Sequence, residues 1–359
     1  MIRAKKPVES LSTQMKHKAA VPVKKKKEWI GNFNTLTSTG STLLDLSISG
    51  KRKRGGKIPG GVLIEAFGPS QSGKTALLCE TAGHIERNGG ENQFHDPESR
   101  LDSEFADIYG MNIEKKNYYI PDTVTEVFKQ VRLFKPKSNK VVNGIFADSL
   151  AALSTKLEMG SEDGDKMGMR RAKEFSEQLR KTCRLIKRQN LILMCSNQIR
   201  ESADSYGSKY TTPGGQAVKF YASIRLKFNT PDKIAKTITV NGKEVEKVIG
   251  IKTEIEVIKT VDEPYRKCSV YFIYGYGIDD IRANLQFVKD YSPKVYTKEE
   301  GDEKKSSIYT INGRKLHKSL NTAISMIEEQ GLVEELREQV IDLWEEIENK
   351  FKQKRKPKR

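Results

Sequence analysis

Short apolar runs alternate with helical segments through the middle of the chain. The runs are residues 62–67, 93–96, 141–147 and 191–196, and helical patterns begin after Lys74, near residue 123 and near residue 170. Strand-length apolar runs that alternate with helices are typical of a parallel sheet covered by helices on both faces. The pattern therefore predicts an α/β fold with a mainly parallel central sheet.

Beyond residue 215 the helical segments give way to consecutive strand patterns. These patterns cover residues 223–228, 237–240, 245–249, 252–259 and 268–274. The dipeptide Asn241-Gly242 between two of the runs is a strong signal for a type I′ hairpin turn. We expect antiparallel strands that extend the central sheet.

The two ends of the chain differ from this core. Residues 1–32 show little apolar periodicity. A segment rich in Gly, Lys and Arg at 50–61 predicts an exposed loop. Near the other end, helical patterns at 320–329 and 332–351 follow a polar stretch. The predicted organisation is a basic N-terminal arm (1–32), a core (33–280), a small α-rich C-terminal domain (281–349) and a basic tail (350–359).

The net charge of +17 comes from the ends of the chain. Residues 1–60 carry 14 Lys/Arg against 3 Asp/Glu, and residues 350–359 carry 7 against none, so that 43 basic and 44 acidic residues remain between them. The basic runs at 24–27, 51–54 and the tail are either solvated, disordered segments or attractors of phosphate backbones. DNA or RNA is therefore the favoured class of partner.

Cysteine usage and hydropathy point to the cytoplasm. The four cysteines are scattered without a C-x-x-C pair, which is typical of a reducing compartment and offers no zinc framework. No run of 18 apolar residues occurs, and the basic N-terminus lacks the apolar core of a signal peptide. We expect neither secretion nor membrane insertion.

The pattern G-x-x-x-x-G-K-T stands between a predicted strand and a predicted helix. Backbone N–H groups in such a loop cradle phosphates, the lysine reaches the β and γ phosphates, and the threonine hydroxyl coordinates Mg²⁺. A flexible glycine turn is the alternative, but the flanking elements favour a phosphate-binding loop (P-loop). Its residues are Gly68, Pro69, Ser70, Gln71, Ser72, Gly73, Lys74 and Thr75.

Acidic residues follow two of the apolar runs, where an open α/β sheet binds its ligands. Asp148 would complete the Mg²⁺ site with Thr75, and it could also cap the next helix. Glu98 is placed to activate water for ATP hydrolysis, in competition with Asp96, Asp102 and Glu104. His95 fits a packed strand position better than a catalytic one.

Gln198 closes the predicted strand that begins with the apolar run 191–196. Its amide could sense a γ-phosphate, or it could satisfy the local backbone at the strand end. The segment 201–213 that follows is rich in Ser, Gly, Thr and Tyr and is long for a compact domain. Loops of this length are usually functional or disordered.

Taken together, these motifs resemble the RecA recombinase family over residues 33–345. The matching stretches are STGS at 38–41, GPSQSGKT at 68–75, DPESRLD at 96–102, ADSLAAL at 147–153, GDKMG at 164–168, NQIR at 197–200 and TTPGGQAVKFYAS at 211–223. The resemblance implies a RecA-like P-loop ATPase core that forms helical filaments on single-stranded DNA and pairs it with homologous double-stranded DNA, using ATP and Mg²⁺. One alternative function is a RecA-fold motor, helicase or loader. Another is a DNA-binding mediator that binds ATP without turnover, and the presence of Glu98 argues against this second alternative.

The resemblance also assigns residues to roles. It makes Glu98 the water-activating carboxylate and Gln198 the γ-phosphate sensor, and it brings Asp102 and Phe105 near the adenine, with Phe105 where the family commonly has tyrosine. Segments 158–168 and 201–214 resemble the two DNA-binding loops. The implied DNA contacts are Lys166, Met167, Gly168, Arg171, Lys173, Arg180, Arg200, Tyr206, Gly214 and Gly215.

In this family ATP lies between successive subunits, and lysines of the neighbour reach its phosphates. Lys219 and Lys259 match two of these lysines, but Val261 stands where the family has a further one. The contact across the interface is then either weaker than usual in the family or made by another residue such as Lys252 or Arg266. The chain also ends in a basic tail where bacterial members commonly end in an acidic one. A subunit-docking element is expected near the N-terminus, within residues 8–23.

Overall fold

The computed structural model describes residues 34–155, 167–201, 210–211, 213, 215–292, 296–299, 302–305 and 308–355. Within these residues one ten-stranded sheet forms the centre of the fold, in the order β14-β13-β12-β10-β3-β7-β6-β4-β5, with β11 paired to β12 alone. The strands are β3 (Leu63–Gly68), β4 (Asn92–His95), β5 (Tyr118–Tyr119), β6 (Asn143–Ala147), β7 (Leu191–Gln198), β10 (Ile224–Phe228), β11 (Asp232–Val240), β12 (Lys243–Lys259), β13 (Arg266–Ile273) and β14 (Gly277–Ile278).

The sheet is parallel from β10 to β5 and antiparallel from β10 to β14. Both the parallel core and the antiparallel extension predicted from the sequence are thus confirmed. In the described part of the chain, four two-stranded ladders lie outside the sheet. They are β1 (Leu36–Thr37) with β2 (Ile58–Pro59), β8 (Arg200–Glu201) with β9 (Tyr210–Thr211), β15 (Tyr296–Glu299) with β16 (Asp302–Lys305), and β17 (Thr310–Ile311) with β18 (Arg314–Lys315).

Helices cover both faces of the sheet, and alternate strand residues enter two different cores. On β6, for example, Phe146 packs into one core and Ile145 into the other, as a fully covered parallel strand requires. The helices are α1 (Thr42–Ser49), α2 (Lys74–Arg87), α3 (Ser103–Ile108), α4 (Val124–Leu133), α5 (Met167–Arg188), α6 (Gly215–Tyr221), α7 (Asp280–Tyr291), α8 (Leu320–Glu329) and α9 (Val333–Lys350). None of the described helices is long and apolar enough to cross a membrane.

The predicted strands at 245–249 and 252–259 are a single strand, β12. Gly250, between the two predicted runs, pairs in register with Ile273 of β13. A Cβ there would lie 2.4 Å from the carbonyl oxygen of Phe272, so glycine allows close approach of two backbones and does not end the strand. The Asn241-Gly242 hairpin is confirmed, and it joins β11 and β12 into a ribbon with Ile238 and Val245 half-exposed.

Helix α1 and the segment after it differ from the sequence prediction. All eight residues of α1 are buried, so no polar face marks the helix, although Ser41 caps it by accepting a hydrogen bond from Leu44 N at 3.4 Å. The predicted exposed loop at 50–61 is exposed over residues 51–54, and most of the rest is buried. A Cβ on Gly56 would come within 1.9 Å of the Asp45 carbonyl oxygen, so the segment turns back against α1.

Two residues of the exposed basic run 51–54, Lys51 and Arg54, pair with acidic residues. Arg54 pairs with Glu338, Asp342 and Glu345 of α9 at 2.7, 2.8 and 3.0 Å. Its neighbour Lys51 pairs with Glu263 at 2.5 Å. This part of the basic N-terminal region therefore contributes less free positive charge than the sequence suggests.

Helix α9 packs against α1 and α7. Trp344 of α9 is 8% exposed and lies in the same apolar core as α1 and β12. Both helices predicted near the C-terminus are confirmed, with α9 running from Val333 to Lys350. A domain boundary at residue 281 stays a prediction.

Candidate nucleotide-binding site

The phosphate-binding loop connects the end of β3 to the start of α2. Its backbone has positive φ at Gln71 (58°) and Gly73 (92°). A Cβ at Gly73 would lie 2.5 Å from the Phe272 ring, so only glycine fits this position. Thr253 of β12 donates a hydrogen bond to the Ser72 carbonyl oxygen at 3.0 Å. The antiparallel extension of the sheet therefore supports the loop from behind.

Lys74 lies at the first turn of α2 with its ammonium over the loop. Its Nζ donates to the carbonyl oxygens of Pro69 at 2.6 Å and Gly68 at 3.2 Å. Burial lowers the pKa of Lys74, while the Asp148 and Glu98 carboxylates oppose that shift. The ammonium is thus directed at the space enclosed by the loop backbone.

Asp148 follows β6, and its side chain contacts one residue of α2 and one residue of the neighbouring strand β7. Thr75 Oγ1 donates to Asp148 Oδ2 at 2.5 Å, and Ser196 Oγ of β7 donates to Asp148 Oδ1. Burial raises the pKa of Asp148, and these two hydrogen bonds oppose the rise. The alternative role of Asp148 as a helix N-cap does not apply, since Ser149 stands at the N-cap of the short 3₁₀ turn Leu150–Ala152.

The pair Thr75 and Asp148 fits a magnesium ion. Mg²⁺ takes oxygen ligands, and in phosphate-processing sites it is usually held by one or two protein oxygens together with phosphates. The Thr75 hydroxyl and the Asp148 carboxylate are adjacent oxygens at the start of α2, beside the phosphate loop. Their chemistry and position therefore agree with the role assigned from the sequence.

Glu98 and Asp96 occupy different environments, which separates two of the competing carboxylates. Asp96 Oδ2 accepts hydrogen bonds from the backbone N–H groups of Arg100 at 2.7 Å and Leu101 at 2.8 Å, and from Tyr118 OH at 2.8 Å. Asp96 therefore fixes its own loop. Glu98 accepts one hydrogen bond from Ser149 Oγ at 3.1 Å, and its second oxygen lies 2.7 Å from Arg100 Nη1.

The other two competing carboxylates lie at the start of α3. Asp102 caps that helix by accepting from Phe105 N at 2.9 Å. Glu104 is exposed in its first turn. The Phe105 ring contacts Tyr109 with 5.1 Å between centroids. Neither carboxylate is hydrogen-bonded to Ser149 as Glu98 is.

A cleft of about 330 Å³ unites these side chains. The side chains in its lining that could bind a nucleotide or a metal ion, or take part in hydrolysis, are Thr75, Asp96, Glu98, Asp102, Phe105 and Asp148. His95, next to them in sequence, is fully buried and stacks on Tyr119 at 5.2 Å. Burial lowers the pKa of His95 to about 4, which agrees with a packed strand residue.

Gln198 is exposed at the end of β7 and pairs in register with Gly68, the first residue of the phosphate loop. Its neighbour Asn197 is fully buried, and Asn197 Nδ2 donates to Glu65 Oε1 at 3.0 Å and to the Pro213 carbonyl oxygen at 2.9 Å. The strand that carries Gln198 is thus tied to the far end of the following segment.

Glu65, in the middle of β3, has no exposed side-chain surface and pairs with Arg225 Nε of β10 at 2.7 Å. The Arg225 guanidinium also lies 4.4 Å from the centre of the Phe67 ring. Sequence reasoning missed this network of Glu65, Asn197 and Arg225. The available signal was a charged residue inside each of two apolar runs.

Two lysines expected to reach a neighbouring subunit lie together. Lys259 Nζ donates to the carbonyl oxygens of Lys219 at 3.2 Å and Phe220 at 3.0 Å, at the end of α6. Burial and then the Arg225 charge lower the pKa of Lys259. Arg266, a suggested substitute at Val261, pairs with Glu348 at 3.1 Å and lies over Trp344.

The residues expected to contact DNA are only partly described. Lys173 and Arg180 are exposed on α5, whereas Arg171 is half-buried and donates to the Ala151 carbonyl oxygen at 3.4 Å. The backbones of Met167 and Gly168 begin α5, that of Gly215 begins α6, and that of Arg200 begins β8. Lys166, Tyr206 and Gly214 lie outside the described residues.

Comparison with known proteins gives a consistent result. The sequence model of a family described as the RecA N-terminal domain matches residues 8–279. The Protein RecA of Colwellia psychrerythraea strain 34H is 31% identical over 295 residues, covering 81% of this chain and 79% of that protein. The Protein RecA of Staphylococcus aureus strain JH9 is 34% identical over 251 residues, covering 69% and 68%.

Proposed function

This chain belongs to the RecA family, and we propose that it is an ATP-dependent DNA recombinase that forms helical filaments on single-stranded DNA and exchanges strands with homologous duplex. The observation that carries the proposal is the cleft that unites Thr75, Asp148 and Glu98 beside the phosphate loop. It combines a phosphate cradle, two oxygen ligands and a carboxylate. These are the parts that ATP hydrolysis requires.

ATP would bind with its phosphates in the loop from Gly68 to Thr75. The backbone N–H groups at the start of α2 and the Lys74 ammonium would neutralise the β and γ phosphates. Thr75 and Asp148 would hold Mg²⁺, which supplies charge neutralisation at the phosphate oxygens. Phe105, in the wall of the same cleft, offers a π-face to the adenine beside Asp102.

Glu98 would act as the general base in hydrolysis. The oxygen of a water molecule forms a bond to the γ-phosphorus as the bond from that phosphorus to the bridging oxygen of ADP breaks. The water proton passes to Glu98, and the products are ADP and inorganic phosphate. Ser149 Oγ, at 3.1 Å from Glu98 Oε1, orients the carboxylate for this role.

Gln198 would report the γ-phosphate to the DNA-binding segments. It stands opposite Gly68 in the sheet, and Asn197 beside it holds the Pro213 carbonyl oxygen. A change at Gln198 therefore has a short covalent and hydrogen-bonded route to the segment 201–214. Lys219 and Lys259 would contribute to the ATP site of the next subunit in the filament.

DNA would bind along segments 158–168 and 201–214 and the exposed basic residues of α5. Lys173 and Arg180 are exposed on that helix, and phosphate contacts of this kind make affinity fall steeply with salt. Stacking of bases on aromatic side chains such as Tyr206 would complete a site without sequence preference. We place the activity in the cytoplasm, associated with DNA.

An ATP-dependent strand-exchange assay tests the function. The purified protein with ATP and Mg²⁺ is expected to form joint molecules between single-stranded DNA and homologous duplex. Binding to single strands without joint molecules would refute a recombinase, and closed rings in electron micrographs would favour a RecA-fold motor.

DNA-stimulated ATP hydrolysis by Glu98→Gln tests the assigned base. We expect a loss of at least a hundredfold in kcat, in line with general-base catalysis. Glu104→Gln is the matched control, because Glu104 is an exposed carboxylate on the neighbouring helix. Equal activity of the two variants would show that Glu98 is not the base.

A further inference from the structure

Arg100 is the one described basic residue that lines the cleft, among the carboxylates of Asp96, Glu98, Asp102 and Asp148. Its Nη1 lies 2.7 Å from Glu98 Oε2. Ser149 Oγ contacts the other Glu98 oxygen. Both oxygens of the proposed general base therefore have a partner, and one of these partners is a cation.

The backbone of Arg100 is fixed, whereas its side chain is not. Asp96 Oδ2 holds the Arg100 backbone N–H at 2.7 Å, and Ser99 before it has a φ of 50°. The Arg100 side chain is 81% exposed, against 21% for Glu98. Exposed ion pairs are weak because water screens them and the side chains lose entropy. The guanidinium can therefore leave Glu98 at little cost.

A triphosphate in this cleft is a stronger partner for Arg100 than Glu98 is. It carries several negative charges, and a guanidinium forms paired, charge-assisted hydrogen bonds with phosphate oxygens. The carboxylates of the cleft also make additional cationic contacts favourable for bound phosphates. Competition between Glu98 and the nucleotide for one guanidinium follows from these charges.

We propose that Arg100 alternates between Glu98 and the phosphates of bound ATP, so that phosphate binding itself frees the general base. While it pairs with Glu98, the guanidinium occupies Oε2, and Ser149 occupies the other oxygen, so neither is free to contact the attacking water. Transfer of the guanidinium to the nucleotide releases Glu98 and adds a phosphate contact. The inference rests on the proposed function, since it assumes that ATP occupies this cleft and that Glu98 is the base.

A double-mutant cycle tests this competition. Affinity for a non-hydrolysable ATP analogue with an imido bridge between the β and γ phosphorus is measured by calorimetry. Arg100→Ala is expected to weaken binding about tenfold in a Glu98→Gln background, where the guanidinium has no carboxylate to leave. In the otherwise unchanged chain the loss is expected to be about threefold, because the competing ion pair offsets part of it.

Three controls define the site of the effect. AMP, which lacks the β and γ phosphates, should bind equally with and without Arg100. Arg337→Ala on α9, which removes an ion pair with Glu334 at 3.5 Å, should leave both affinities unchanged. Arg100→Lys keeps the charge and should restore part of the analogue affinity.

Equal losses in the two backgrounds would overturn the competition, and no loss in either would remove Arg100 from the phosphates. A loss for AMP as large as that for the analogue would also count against it. These failures differ from failure of the proposed function. If the analogue binds none of the variants nor the original chain, it is the nucleotide site that is wrong.

Discussion

Arg225 pairs with a carboxylate that has no route to solvent, so its removal should be among the most damaging single changes in the sheet. The Glu65 side chain is fully buried, Arg225 is 12% exposed, and Nε and Oε2 lie 2.7 Å apart. Truncating one partner of a buried ion pair leaves an uncompensated charge and typically costs about 3–5 kcal/mol. Asn197 still donates to Glu65, which favours the lower part of that range.

Arg225→Met keeps an unbranched side chain and removes the guanidinium that pairs with Glu65 and lies over the Phe67 ring. An unfolding entropy of about 2.1 cal/mol/K per residue over the 359 residues of the chain makes each kcal/mol worth about 1.3 °C. The melting midpoint in differential scanning calorimetry should therefore fall by about 4–5 °C. The double variant Glu65→Gln/Arg225→Met should recover more than half of the loss, because no buried charge remains.

Lys227→Met is the matched control, two residues along the same strand. Lys227 pairs with Glu256 at 3.9 Å, and both side chains are partly exposed. Its loss should cost less than about 1 kcal/mol. Equal destabilisation by Arg225→Met and Lys227→Met, or no recovery in the double variant, would refute the reasoning from burial.

Three further predictions concern pH, the phosphate loop and the tail. The folded-state pKa of His95 is about 4, below its ordinary value of 6.5. Between these pH values the unfolded chain binds more protons than the folded chain, so the free energy of unfolding falls as pH drops from 6.5 towards 4. His95→Phe, which can still stack on Tyr119, should raise the melting midpoint at pH 5 relative to the original chain and change it little at pH 7.5. Gly73→Ala should abolish ATP-analogue binding measured by calorimetry, because φ is 92° and the new Cβ meets Phe272 at 2.5 Å; retained affinity would show that the loop can shift. Deletion of residues 350–359, which carry seven basic residues, should weaken duplex binding in filter assays at low salt and lose its effect at high salt; faster binding by the shortened chain would mean that the tail is inhibitory.

Much of the fold was predictable because its elements follow simple periodic rules. The parallel strands are continuous apolar runs, and the helix predicted near residue 123 is α4, which begins with a capping box of Thr123 and Glu126. Helix α1 was missed because it is buried on every side. An amphipathic pattern exists only where one face meets water.

The candidate site was predictable to the extent that its residues follow strands. Thr75, Glu98, Asp148 and Phe105 were predicted together and line one cleft. The partners that orient them were not predictable, because Ser149 and Ser196 are common residue types whose role depends on distances across the sheet. The pairing of Arg100 with Glu98 likewise depends on side-chain direction after a turn, which spacing along the chain does not determine.

Strand β12 is a mechanical connection between the ribbon tip and the phosphate loop. It is one strand from Lys243 to Lys259, with a register shift against β11 opposite Ile234 and Ala235. Thr253, which holds Ser72, lies ten residues from the tip-side end, about 33 Å away at the usual rise. We therefore expect a displacement of the ribbon to reach the backbone that cradles phosphate. A load applied at Asn241-Gly242 through a tethered bead should then change nucleotide affinity, and an unchanged affinity would show that the two ends of β12 are mechanically independent.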